Sequence, residues 1–229
     1  MPMKYKDREE AGKVLAQEIL KRSKRLNFSL IDNAIILAIP DEGIIPAYIM
    51  AKELNIKMNL IVVGKLKIPG ANIGFGSITV DGTKVLNDAM INRYRLTPDK
   101  IGEIEKNEIN RMVEKIETYD IVQINLENLK DKVVIIVDEG AQTGYSAIAA
   151  IKSLNLTDSA PRIISVAIPA ASFQSILTIN RYSYHLLCPN IVDSLYFEIK
   201  DAYSHYHKLS KEDVFNYIDK IKKENLLFV

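Results

Sequence analysis

Hydrophobic and polar positions along the chain fall into blocks, in which short apolar runs alternate with segments of helical periodicity. Predominantly apolar runs of strand length occupy residues 34–39, 60–63, 133–137, 163–168 and 185–188. Apolar residues at helical spacing fill residues 14–20, 44–54 and 146–154. Strands without polar alternation are typical of a parallel sheet covered by helices on both faces, so the pattern predicts an α/β fold.

The segment between the second and third apolar runs has a different character. A proline and three glycines within residues 69–76 interrupt any regular pattern, which predicts a mobile loop or a hairpin. Thr97 followed by Pro98 is typical of a helix start, and apolar residues then recur at helical spacing as far as residue 116. The sequence therefore adds one irregular segment and one long amphipathic helix to the predicted sheet.

Composition narrows the class of protein. With 229 residues, of which 48% are hydrophobic, the chain is long enough to bury a full core. The net charge is only +1, so we expect neither a nucleic-acid partner nor an anionic membrane. Residues 1–7 carry no apolar signal core, no apolar run is long enough to cross a bilayer, and the single cysteine, Cys188, suits a reducing compartment. We therefore expect a cytoplasmic protein that acts on small molecules.

The apolar run at residues 133–137 leads directly into two acids, Asp138 and Glu139, and then into a turn of small and polar residues. A helix follows, so the amides of residues 142–146 converge at a helix N-terminus, where free N–H groups and the helix dipole favour an anion. The acids accept hydrogen bonds from hydroxyl groups, so the stretch suits a ligand with a phosphate and a diol, such as a ribose 5-phosphate. The alternative is that these residues serve turn and cap chemistry alone.

This stretch resembles the signature of type I phosphoribosyltransferases, in which an apolar strand, two acids, a short variable run, Thr-Gly and a hydroxyl residue bind phosphoribosyl pyrophosphate (PRPP). It does not resemble a Walker A loop, because no lysine follows the last glycine. Further similarity to poorly characterised proteins with this domain lies in residues 7–12, 62–66, 166–169 and 202–206. The resemblance implies a single domain over residues 1–229, with a flexible loop, a parallel-sheet core at about 30–188, and a small hood from about 1–29 and 189–229.

The resemblance also implies roles for individual residues. Asp138 and Glu139 are the implied catalytic residues, because they would hydrogen-bond the ribose hydroxyls and lie beneath the positive charge that develops at the anomeric carbon. The implied ligands of the 5-phosphate are Ala141, Gln142, Thr143, Gly144, Tyr145 and Ser146. The implied reaction moves the phosphoribosyl group from PRPP to an unidentified acceptor, a nucleobase or related nitrogen nucleophile, with release of pyrophosphate. Family members often form dimers, so we expect a homodimer.

Three positions depart from the family pattern. Relatives usually have a second Asp in place of Glu139, commonly have Pro-Arg-Gly-Gly where residues 40–43 read Pro-Asp-Glu-Gly, and often have Arg in place of Gly64. For like charges about 4 Å apart at an effective dielectric constant of about 20, repulsion is on the order of 4 kcal/mol, so an acidic turn beside pyrophosphate is not a neutral change. The candidate residues of the pyrophosphate loop are Asp41, Glu42, Gly43 and Lys65.

The acidic turn leaves two interpretations open. Carboxylates suit Mg²⁺, so a magnesium ion held by Asp138, Glu139 or Asp41 would link the turn to pyrophosphate. In the other interpretation the turn no longer binds pyrophosphate. The sequence thus predicts a phosphoribosyltransferase that uses PRPP and Mg²⁺, and the alternative is a non-catalytic sensor that binds PRPP or a nucleotide.

Overall fold

The computed structural model describes residues 3–26, 31, 33–71, 73–156, 158–194 and 196–229. Short 3₁₀ turns occupy Leu126–Leu129 and Ile199–Ala202. The helices and strands, in chain order, are α1 (Arg8–Leu26), β1 (Ala34–Ala38), α2 (Ile44–Leu54), β2 (Lys57–Leu60), β3 (Val63–Lys67), β4 (Gly74–Thr79), β5 (Lys84–Leu86), α3 (Asp88–Arg93), α4 (Pro98–Thr118), β6 (Val133–Val137), α5 (Tyr145–Asn155), β7 (Ile163–Ala167), β8 (Ala170–Ser172), α6 (Phe173–Ile179), β9 (His185–Leu187), β10 (Asn190–Val192) and α7 (Lys211–Lys223).

A parallel sheet forms the centre of the molecule, with its strands in the order β2-β1-β6-β7-β9. Every residue of β1, β6 and β7 is buried. Apolar residues of α1, α2 and α7 pack against one face of the sheet, and those of α5 and α6 pack against the other. Because both faces are covered, these strands have no solvent side, which explains their continuous apolar runs. The predicted α/β fold is confirmed.

The second strand of this sheet lies earlier in the chain than the sequence predicts. The predicted strand covers residues 60–63, whereas β2 ends at Leu60 and β3 begins at Val63 in a different sheet. The buried polar residue within β2 is Asn59, which donates hydrogen bonds to the carbonyls of Val122 and Phe228. Those bonds satisfy its amide, so a polar residue is accommodated in a buried strand and the apolar run alone misplaced the boundary.

The segment between β2 and α4 forms a second, antiparallel sheet in the order β3-β4-β5. One face of this sheet packs against α4, so closely that a Cβ atom on Gly64 would lie 2.4 Å from Cγ of Glu108. An arginine at position 64, as in many relatives, would therefore have to displace that side chain. The glycines predicted to form a loop or hairpin lie in the β3–β4 hairpin; Asn72 within it lies outside the described residues.

The two ends of the chain meet near the carboxyl ends of the central strands. Tyr5 pairs with Tyr203 in a β-bridge, and its hydroxyl donates a hydrogen bond to the carbonyl of Pro169 over 2.8 Å. Strands β8 and β10 pair in a small parallel sheet beside this contact, and the side-chain amide of Asn190 donates to the carbonyl of Met3. Both terminal segments thus contribute to the rim where ligands of open α/β sheets bind. The extent of the predicted core and hood stays a prediction.

Candidate active site

A cavity of about 290 Å³ opens at the carboxyl end of β6, between the N-terminus of α5 and the antiparallel sheet. Because parallel strands of an open α/β sheet present their carboxyl ends to one crevice, this position is where a ligand site is expected. Its lining residues are Lys65, Lys67, Gly74, Gly76, Ser77, Asp138, Gly140, Ala141, Gln142, Thr143, Gly144, Tyr145, Ser146, Ala147, Ile168 and Ile199. The whole turn predicted to bind phosphate lies on this cavity.

The turn that precedes α5 is built to present backbone amides. Gly144 is the N-cap residue, has a φ of 77°, and no side chain caps the helix. Among the described residues, none accepts a hydrogen bond from the amides of residues 142–146. Since the first N–H groups of a helix have no partner within the helix, these donors and the positive end of the helix dipole face the cavity together. The arrangement suits a phosphate group.

Contacts on both sides hold this turn in place. Ala141 forms a β-bridge with Ala171, and its amide donates to the carbonyl of Ala170 over 3.0 Å. The side-chain amide of Gln142 donates to the carbonyl of Phe197 over 2.9 Å. The turn is therefore fixed to β8 and to the C-terminal segment, so its amides are oriented before any ligand arrives.

Asp138 is the acidic side chain that lines the cavity. Burial raises the pKa of its carboxyl group to about 6, and nearby Glu42 adds to the increase. Lys65 and the amide of Glu139, which donates to Asp138 Oδ1 over 2.7 Å, oppose the shift. At neutral pH the group is therefore mostly ionised, in an environment that solvates negative charge poorly. Such a carboxylate interacts strongly with a positive charge in the cavity.

Glu139 does not line the cavity. Its carboxylate accepts a hydrogen bond from Arg8 Nε over 2.8 Å, and its carbonyl accepts one from the Tyr203 hydroxyl over 2.6 Å. The Arg8 guanidinium also lies 4.6 Å from the ring centroid of Tyr206. Burial raises the pKa of Glu139 to about 7, although Arg8 opposes that shift. In this structure Glu139 connects the end of β6 to both terminal segments, and its predicted catalytic role stays a prediction.

The acidic turn after β1 lies beside the cavity without lining it. Asp41 Oδ2 accepts a hydrogen bond from Lys115 of α4 over 3.2 Å. Gly43 packs on the end of β6, since a Cβ atom there would lie 3.1 Å from the Cα atom of Asp138. Of the four predicted pyrophosphate-loop residues, Lys65 lines the cavity, whereas Asp41, Glu42 and Gly43 do not.

The antiparallel sheet supplies the predicted residue Lys65 and two cavity residues, Lys67 and Ser77, that sequence reasoning missed. Lys65 and Lys67 lie two residues apart on β3, both are exposed, and both line the cavity. Across from Lys65 on β4 is Ser77, whose hydroxyl oxygen is 3.3 Å from that of Ser146. The alternation of lysine and leucine at residues 65–67 was the available sequence signal for Lys67, and the structure shows both lysines on the exposed side of β3. Nothing in the sequence singles out Ser77.

Asn87 contacts the phosphate turn, although no pattern in the sequence indicates this contact. It follows β5, and its side-chain amide donates a hydrogen bond to the hydroxyl of Tyr145 over 2.8 Å. Tyr145 and Ser146, two of the predicted phosphate-binding residues, are thus both in contact with the antiparallel sheet or the residue that follows it.

The part of the chain that contains the cavity also matches a known protein family. The family described as "Phosphoribosyl transferase domain" matches residues 10–199, which include the cavity and the three sheets described above. The chain belongs to the phosphoribosyl transferase domain family.

Relatives of this phosphoribosyl transferase domain are known from sequence and from structure. Two Mycobacterium tuberculosis proteins, from strains CDC 1551 and H37Rv and each named "Putative phosphoribosyl transferase", are 24% identical over 221 residues, or 96% of this chain. That match covers 47% of their length, so the chain spans about half of the curated relatives. The crystal structure of TT1426 from Thermus thermophilus has a TM-score of 0.67 at 21% identity and covers 95% of this chain and 99% of its own. That likeness shows the fold.

Two further observations concern metal ions and membranes. Among the described residues, no group of three or more His, Cys, Asp or Glu side chains is arranged to hold a metal ion by itself. Within the same part of the chain, no helix has both the length and the apolar character needed to cross a membrane.

Proposed function

We propose that the protein is a phosphoribosyltransferase that transfers the 5-phosphoribosyl group of PRPP to a nitrogen nucleophile of a small acceptor. In this reaction a bond forms between the acceptor nitrogen and the anomeric carbon, and the bond from that carbon to pyrophosphate oxygen breaks. Pyrophosphate leaves with the electron pair, and the acceptor nitrogen loses its proton. The observation that carries the proposal is one cavity that combines the free amides of residues 142–146 with the carboxylate of Asp138.

The amides at the N-terminus of α5 would bind the 5-phosphate. Successive N–H groups at a helix N-terminus, with the helix dipole behind them, are a general anion site. The turn is tied to β8 through Ala141, so it loses little conformational entropy when a phosphate binds. The diphosphate of PRPP would lie toward Lys65 and Lys67, which supply positive charge that the acidic turn after β1 lacks.

Asp138 would act on the sugar. Its carboxylate is partly desolvated, so it stabilises the positive charge that develops at the anomeric carbon more strongly than an exposed acid would. Because its pKa is about 6, it is mostly ionised at pH 7 and becomes neutral in mild acid. The cavity therefore has a negative group at the reacting carbon and positive groups at both phosphate ends, which orients the donor.

Magnesium fits this donor set. Mg²⁺ in phosphate sites is usually held by one or two carboxylates together with phosphate oxygens and water. Asp138 would be the protein ligand, because the carboxylates of Asp41 and Glu139 are bonded to Lys115 and Arg8. When bound, the ion would neutralise charge on the diphosphate.

Calorimetric titration of PRPP, with Mg²⁺ and with a chelator, tests the donor site. We expect Mg²⁺-dependent binding at micromolar concentration, and ribose 5-phosphate should bind more weakly because it lacks the diphosphate. A screen of nucleobases and other nitrogen acceptors for release of pyrophosphate then identifies the second substrate. Absence of any PRPP binding would contradict the proposal.

The alternative function is a sensor that binds PRPP or a nucleotide without turnover. The observation that favours it is the acidic turn, where Asp41 is paired with Lys115 and lies outside the cavity lining. A sensor would bind PRPP saturably and release no pyrophosphate with any acceptor. A measured turnover would exclude it.

We also propose a homodimer in the cytoplasm, with PRPP and a small-molecule acceptor as partners and without nucleic acid or membrane. The near-zero net charge supports the absence of a polyanionic partner. Light scattering after gel filtration measures the oligomeric state directly. A mass of one chain would contradict the dimer.

A further inference from the structure

The antiparallel sheet is fastened to helix α5 at both ends of the helix. At the N-terminal end, Ser77 Oγ lies 3.3 Å from Ser146 Oγ, and Asn87 Nδ2 donates to the Tyr145 hydroxyl over 2.8 Å. At the C-terminal end, the hydroxyl of Ser153 donates to Asp81 Oδ2 over 2.5 Å. Hydrogen bonds at two separated points fix both the position of the sheet and its angle to the helix.

Asn87 performs two tasks with one amide. Its Oδ1 atom accepts a hydrogen bond from the amide of Met90 and caps α3, while its Nδ2 atom donates to Tyr145. Serine and aspartate also serve as N-cap residues. Serine is too short to reach across to the helix, and an aspartate there would add negative charge beside the proposed phosphate site. Asparagine satisfies both the cap and the contact with Tyr145 without a charge.

These contacts join two parts of the cavity that lie far apart in the sequence. The free amides belong to the turn before α5, whereas Lys65 and Lys67 belong to β3, in the other sheet. Ser77 is the cross-strand partner of Lys65, so the strand pair that touches Ser146 also carries the lysines. The fastening contacts therefore act together with the packing of α5 on β3, β4 and β5 in setting the separation between the two sets of positive groups.

We propose that Asn87 and Ser77 are positioning residues that set the distance between a 5-phosphate subsite at the α5 N-terminus and a diphosphate subsite at Lys65 and Lys67. This inference rests on the proposed function. A ligand that bears phosphates at both ends requires the correct separation, whereas a ligand with one phosphate needs only the amides. Loss of the fastening contacts should therefore weaken the first kind of ligand and spare the second.

The test compares PRPP with ribose 5-phosphate by calorimetry in the presence of Mg²⁺. Asn87→Ser keeps the cap and removes the donor to Tyr145, and Tyr145→Phe removes the acceptor while it keeps the ring and the backbone amide. Because one hydrogen bond is lost, each variant should bind PRPP about threefold to tenfold more weakly, with ribose 5-phosphate within about twofold of wild type. The double variant should lose no more than either single variant.

A matched control is Asn125→Ser, because Asn125 also caps a short helix, through the amide of Glu127, and lies away from the cavity. It should bind both ligands as wild type does. Equal losses for PRPP and ribose 5-phosphate in Asn87→Ser, or no loss for either, would overturn the inference. Wild-type protein that fails to bind PRPP would overturn the proposed function itself, which distinguishes the two failures.

Discussion

Adjacent acids at the end of β6 have opposite surroundings. Successive side chains of an extended segment point in opposite directions, so Asp138 faces the cavity when Glu139 faces Arg8. Both carboxyl groups have a pKa raised by burial, but only Glu139 has a cation in direct contact. A change at one acid is therefore not equivalent to the same change at the other.

Asp138→Asn should remove activity and increase stability. Turnover should fall by about 10²- to 10³-fold, because the charge opposite the anomeric carbon is lost. Since burial raises the pKa of Asp138 from 3.8 to about 6, ionisation opposes folding as the pH rises through that interval. Above pH 6 the variant should thus unfold with a free energy higher by on the order of 2 kcal/mol.

The sign of this effect is checked by urea unfolding at several pH values. Below about pH 3 the aspartate is mostly protonated in both the folded and the unfolded chain, so the difference between wild type and variant should vanish. A variant that is less stable than wild type at pH 8 would contradict the assigned surroundings of Asp138.

At the scale of single elements, helix α5 depends on the backbone conformation of Gly144. Its φ of 77° lies in the left-handed region, and a Cβ atom there would lie 2.6 Å from Cγ1 of Ile179. The glycine thus allows both the turn of the chain and the close approach of α6. The free amides of the turn owe their direction to this residue.

Gly144→Ala should reduce the free energy of unfolding by about 2 kcal/mol and weaken phosphate binding, because both the conformation and the contact become unfavourable. Gly102→Ala is the matched control. Gly102 lies within α4, is exposed, and has no atom within 4 Å of the added Cβ, so that variant should be more stable by about 0.5 to 1 kcal/mol. Thermal unfolding of both variants measures the contrast, and equal effects would contradict the role of Gly144.

At the scale of the whole molecule, three parts of the chain converge on one cavity. The central sheet contributes Asp138, the antiparallel sheet contributes Lys65 and Lys67, and the C-terminal segment contributes Ile199. The N-terminal segment reaches the same region through Arg8 and Glu139. The site therefore depends on how layers pack as well as on its own residues.

Substitution of the two lysines of β3 tests whether the antiparallel sheet contributes to PRPP binding. Replacement of Lys65 and Lys67 by methionine should weaken PRPP binding by about tenfold to a hundredfold, because charge-assisted contacts to the diphosphate are lost. Ribose 5-phosphate binding should change by less than about threefold, since the helix amides remain. Lys84→Met is the control, because Lys84 pairs with Glu105 of α4 and does not line the cavity. Calorimetry compares the PRPP affinity of wild type, the Lys65 and Lys67 double variant, and Lys84→Met. Unchanged affinity in the double variant would show that the two lysines do not bind the diphosphate.

Substitution of Arg8 tests whether the contact between the N-terminal segment and the end of β6 stabilises the fold. Arg8→Gln removes the cation beside Glu139, and the pKa of Glu139, which burial already raises to about 7, should rise further. Loss of one partner of a buried ion pair should lower the free energy of unfolding by on the order of 2 kcal/mol. Lys13→Gln, at an exposed position of the same helix, should change it by less than about 0.5 kcal/mol. Chemical unfolding at pH 7 compares them, and equal stability would mean that the pair contributes nothing.

The sequence by itself determined the fold class and the phosphate turn. Apolar runs that coincide with β1, β6 and β7 are a local signal, because a strand buried on both faces has no solvent-facing position and is predominantly apolar. The turn at residues 140–146 is contiguous in the chain, so its two glycines, its hydroxyl residues and the following helix were visible together. The family match over residues 10–199 agrees with that signal.

Only the tertiary structure decided which residues share the cavity with that turn. Arg8 and Glu139 are 131 positions apart, and Asn87 and Tyr145 are 58 apart. Periodicity along the chain reports which face of an element is buried, but it carries no information on which distant element covers that face. The partner of Glu139 was decided in the same way, because the tertiary structure places Arg8 of the N-terminal helix beside the end of β6.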